Sequence, residues 1–79
     1  MTTDAYKEAK AISDSLRGAG FVVYADQMSS AVSEGSTGTE IYMILRWRLT
    51  SIIEDGILPV DIKVKALSLH RYLNDVLEA

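Results

Sequence analysis

Few side chains in this sequence can do chemistry. His70 is the sole histidine and there is no cysteine. A general base or a metal site needs a carboxylate or a second ligand near the imidazole, and none stands at ligand spacing from His70. It therefore reads as a surface or half-buried helical residue. Gly35 and Gly38 frame Ser36 and Thr37 where a helix begins, and free N–H groups at such a start can hold an anion. The spacing matches neither the phosphate-loop nor the dinucleotide fingerprint, and Glu40 would repel a phosphate. A helix-to-helix turn with a cap is the expected reading. Arg46 and Arg48 flank Trp47, but adjacent helical positions point about 100° apart, so a stacked reader of bases is not expected. No catalytic residue, metal site or cofactor emerges, and the expectation is a protein that is not an enzyme.

What remains is the chemistry of contact. Tyr24, Met43 and Trp47 carry large apolar surfaces, and Asp26, Glu34 and Glu40 are acids of the middle segment. Those acids either form one patch around the Gly35–Gly38 turn or lie apart on splayed helices.

The whole chain narrows the choice further. Seventy-nine residues make one domain with room for one core, whose stability is modest unless packing is good or a partner adds area. Apolar residues make up 48% and charged residues 24%, a globular balance. The lack of cysteine excludes a disulfide framework and a thiolate zinc site, and suits a reducing compartment. No apolar run approaches the roughly eighteen residues that span a bilayer, so a soluble cytoplasmic protein without membrane association is expected. Eight basic against eleven acidic side chains leave a net charge of −3, with the excess between Gly18 and Gly56. That works against a nonspecific grip on nucleic acid and suits a basic partner.

Periodicity supplies the elements. Thr2 or Thr3 can cap a first helix with Asp4 in its opening turn, whose narrow stripe is Ala5, Ala9, Ile12 and Leu16. Phe21-Val22-Val23-Tyr24 has strand character, but a lone strand has nothing to pair with. Phe21, Tyr24, Ala25, Met28 and Val32 share a helical face, so a second helix is expected, with a serine-rich outer side that either is plainly solvated or lets another surface approach. Thr37 and Glu40 form a capping box, the carboxylate reaching back to Thr37 N–H. Ile41, Leu45, Leu49 and Ile52 follow as a buried stripe, and Gly56 is the expected left-handed stop. Met43 and Trp47 point away from that stripe. An element apolar on several sides is sandwiched or offers its surplus to a partner, and sandwiching is expected because cores commonly house Trp and Met. After Pro59, the seam Ile62, Ala66, Leu69, Leu73 and Val76 marks a last helix, with Val60, Val64 and Leu67 expected to bury its first half more deeply.

The Ser36-Thr37-Gly38-Thr39-Glu40-Ile41 turn and the Leu45-Arg46-Trp47 run, in a chain of this size and charge, resemble the small, acidic, all-helical immunity proteins that accompany bacterial toxin domains. The resemblance covers about the middle half of the chain. It implies inhibition by occlusion of a cognate, often basic, toxin, steered by acids and anchored by aromatics. Tyr24, Asp26, Glu34, Glu40, Met43 and Trp47 are then the partner-binding candidates.

The expected fold is an all-α, compact four-helix bundle of roughly residues 3–17, 20–34, 38–55 and 59–77, with the third helix central. The expected function is a non-enzymatic inhibitor that binds a protein. The alternative is a structural or adaptor subunit that dimerises through Met43 and Trp47. A nucleic-acid regulator using Arg46, Arg48, Lys63 and Lys65 is disfavoured by charge.

Overall fold

Asp4 is the cap of the first helix itself, its carboxylate accepting the Lys7 N–H at 3.2 Å. Helix α1 then runs Ala5–Gly18. The computed structural model describes residues 4–79, so the other cap candidates, Thr2 and Thr3, lie outside the described residues. Helix α1 ends in a Schellman motif. Phe21 N–H bonds Leu16 C=O at 2.8 Å and Gly20 N–H bonds Arg17 C=O at 3.1 Å, with Gly20 at φ +91°. Because this motif uses Gly20 and Phe21, α2 spans Val22–Glu34 and begins two residues later than its periodicity suggested. The Phe21 to Tyr24 segment enters that helix, and no strand occurs among the described residues.

Helix α3 spans Gly38–Glu54 and opens on Thr37, whose hydroxyl accepts Glu40 N–H at 3.2 Å. The Glu40 carboxylate accepts from Ser36 N–H, one residue further out than a standard capping box. Its other end differs from expectation, because Gly56 does not adopt a positive φ. Asp55 stops the helix in extended conformation, accepting Ile57 N–H at 3.0 Å through its carboxylate. That side-chain bond makes the turn a left-handed glycine would otherwise make. Helix α4 spans Val60–Glu78 after Pro59.

The connections of three, three and five residues leave sequential helices no room but to run antiparallel. Bonds across the seams agree: Ser13 to Ala25 and Ser29, Tyr24 to Asp55, and Thr50 to His70. Each helix packs on its two chain neighbours, with α1 and α4 closing the ring. The four-helix bundle is therefore the one expected, and within it α3 lies between α2 and α4 as each helix lies between two others. No helix among the described residues is long and apolar enough to cross a membrane.

The core follows the expected stripe for α1 (Ala5, Ala9, Ile12, Leu16) and most of those for α3 (Leu45, Leu49, Ile52, with Ile41 half-buried) and α4 (Ile62, Ala66, Leu69, Leu73), but Val76, expected to extend the α4 seam, is exposed near the helix end. In α2 it uses Ala25, Met28 and Ala31, while Val32 stays exposed. Alanines and serines let α1 and α2 approach closely. Ser13, the one buried polar residue among those described, donates to Ala25 C=O at 2.9 Å, which commits its only hydrogen, and accepts from the Ser29 hydroxyl at 2.9 Å. The surface that comes close to Ser29 is thus α1, whereas Ser30 and Ser33 face solvent.

Two expectations about burial fail. Met43 and Trp47 are 52% and 63% exposed, because α3 has only two neighbours and no fifth element among the described residues covers its outer side. Val60, Val64 and Leu67 are exposed as well, so the first half of α4 is no deeper than the second. Its inner seam alone reaches the core.

Candidate interaction surface

Trp47 lies two residues from both Leu45 and Leu49, which places it about 200° around the helix from each. Burying those leucines completely therefore turns the indole outward, with Met43 one turn earlier on the same face. The arginines beside Trp47 diverge. Arg46 swings to α4, donating to Asn74 at 3.0 Å and to Glu78 at 3.0 Å. Arg48 lays its guanidinium over the indole, 4.6 Å from the ring centroid. The sequence argument against stacking holds for Arg46 and fails for Arg48, whose long side chain bends back over its neighbour. The Arg48 Nε is buried without a hydrogen-bond partner, so the stack is held by the ring and by packing.

The neighbouring seam is polar. Thr50 Oγ1 donates to Arg46 C=O at 3.0 Å, which commits its only hydrogen. His70 Nε2, 3.2 Å away, must then donate to it, fixing the proton on that nitrogen. His70 is thus a half-buried cross-helix linker.

The other candidates lie elsewhere. Tyr24, at the start of α2, donates its hydroxyl to the Asp55 carboxylate at 2.7 Å. That bond, with smaller contributions from burial and the carboxylate's charge, raises the phenol above its ordinary value. The same bond, aided by Ile57 N–H, lowers the Asp55 carboxyl. Asp26 pairs with Arg17 at 2.9 Å. Glu34 and Glu40 flank the α2–α3 turn, and Asp26 is eight residues before Glu34 on one helix, about 12 Å along its axis. The three acids therefore do not make one patch. Met43 and Trp47 share a face, Glu34 and Glu40 share a turn, and Tyr24 and Asp26 sit at the opposite end.

Val60, Val64 and Leu67, expected to be buried, form a second exposed stripe instead. Val64 and Leu67 line a shallow groove of about 480 Å³ on α4 together with His70, Arg71 and Asn74. The signal was present in the 4, 3 and 4 spacing of Val60, Val64, Leu67 and Arg71, which runs alongside the inner seam and competes with it.

Compared with protein-family models, curated proteins and solved structures, the chain matches none.

Proposed function

We propose that this is a non-enzymatic, cytoplasmic protein-binding protein that acts by occlusion, an inhibitor of the immunity-protein kind directed at a toxin domain. One observation carries the reading: a tryptophan 63% exposed on the rigid outer face of a helix whose inner face is wholly buried, with Met43 beside it. A folded chain gains nothing from holding an indole in water, whereas a partner that buries it gains a large apolar contact. Aromatic and arginine side chains are the usual anchors of protein interfaces, and Trp47 arrives with Arg48 already stacked on it. The net charge of −3 would draw a basic partner from a distance. Glu34 and Glu40, exposed at the α2–α3 turn, are the acids best placed to steer it toward the start of α3.

Coexpression with the toxin-like product of a neighbouring gene tests this. The wild-type protein restores growth and binds the purified toxin, while Trp47→Ala loses about 30-fold or more in affinity and keeps its helical circular dichroism. No protection by the wild type, or full protection by Trp47→Ala, refutes it. A dimer that Trp47→Ala dissolves would instead make this face a self-contact.

A further inference from the structure

We infer that the outer seam of α4 is the contact of a two-fold dimer of this chain, α4 of one copy packing antiparallel on α4 of the other. The seam consists of Val60, Val64, Leu67, Arg71, Asn74 and Glu78, spaced 4, 3, 4, 3 and 4, the 3.5-residue repeat of a helix that lies along another helix. The inner seam, from Ile62 to Leu73, has the same repeat and is already buried in the bundle. Val60, Val64 and Leu67 are 76%, 58% and 48% exposed, so the outer repeat has no use within the monomer. Its far end does have one: Asn74 and Glu78 receive Arg46 from α3. The free part of the seam therefore runs from Val60 to Arg71.

The chemistry of that part selects a second copy over a different partner. A two-fold contact requires that if one residue meets another, the reverse also holds. With the axis near Lys65 and Ala66, Val64 of each copy meets Leu67 of the other, and Val60 meets the aliphatic stem of Arg71. Arg71 then comes within reach of Asp61 of the second copy. Among the described residues neither Arg71 nor Asp61 has an ion-pair partner, although both are exposed. One seam thus supplies an apolar centre and, at matched distances on either side, charges of opposite sign. The segment from Ile57 onward is also charge-balanced, with three basic and three acidic residues, so two copies meet there without the repulsion of the acidic middle. Contact along about three turns of helix buries roughly 1,000 Å² in total, at the low end for a specific interface, the range of weak and transient contacts. Trp47 is not part of this contact, so the inference stands independently of the inhibitor reading.

Sedimentation and light scattering of the whole chain from about 5 to 500 µM test it. The expected mass climbs from the 8.7 kDa monomer toward twice that value. Leu67→Glu weakens association about tenfold or more, with unchanged helical circular dichroism, because two added carboxylates meet near the axis. Arg71→Asp also weakens it, and adding Asp61→Arg restores it, a rescue that a merely structural role would not produce. A monomer at the highest concentration, a dimer indifferent to Leu67→Glu, or one lost on Trp47→Ala overturns the inference.

Discussion

At Gly20 the backbone takes φ +91°, a conformation that strains any residue with a Cβ, while the space around it is open. Gly20→Ala is therefore expected to cost about 1 kcal/mol in urea unfolding. Gly56, without a positive φ and with open space, should tolerate the same change almost silently. Gly35 is different again. Its φ is ordinary, but an added Cβ would stand 2.8 Å from both Ile41 Cγ1 and Ile41 N, so the turn before α3 would have to open. Gly35→Ala should cost about 1–3 kcal/mol, and the same urea titration separates it from the other two. Trp47→Ala belongs at the opposite pole. With most of the indole in solvent, stability should move by no more than about 0.5 kcal/mol, while partner binding falls.

Between elements, the bond from Tyr24 to Asp55 ties the start of α2 to the end of α3 and makes stability depend on pH at both extremes. The Asp55 carboxyl is lowered from 3.8 on folding, so its contribution is complete above that value and disappears as pH falls through the folded-state value. The Tyr24 phenol is raised from 10.0, so its contribution is complete below that value and disappears as pH rises through the folded-state value. Tyr24→Phe and Asp55→Asn should each lower the melting temperature at neutral pH, and the deficit of Asp55→Asn should shrink toward strongly acid pH. Thermal melts across that range check both. A second tie, from Arg46 to Glu78, holds the end of α4 against α3. Glu78 is 67% exposed, so Arg46→Ala should cost no more than about 1 kcal/mol. Its visible effect should be faster hydrogen exchange over the last turn of α4, where the bond to Asn74 is lost as well.

For the molecule as a whole, exposed apolar side chains are spread over the surface, Val22 and Val23 on α2 and Ile57 before α4 among them, and two groups share a helix face: Met43 and Trp47 on α3, and Val60, Val64 and Leu67 on α4. A chain this small has one core, and four helices in a ring cover only the inner side of each. Surplus apolar surface then has to lie outside, where a target or a second copy can take it. If the two faces work separately, the dimer and the target complex form independently: Leu67→Glu leaves target affinity intact and Trp47→Ala leaves self-association intact. Titrating target into each variant and reading the mass of the complex distinguishes the two contacts.

Helix number, order and approximate bounds were legible in the sequence, because caps, glycine stops and apolar repeats are local signals that act within a turn or two. So were the inner stripes of α1 and α3, and the scarcity of catalytic side chains. How many neighbours each helix has is not a local property. Periodicity shows that Met43, Trp47, Val60, Val64 and Leu67 are apolar and where they point, but only the closed ring of four helices decides that none of the described elements covers them. The same holds for Asp55, whose carboxylate, besides accepting Ile57 N–H at the helix stop, meets a hydroxyl that only the packing of α2 on α3 brings to it.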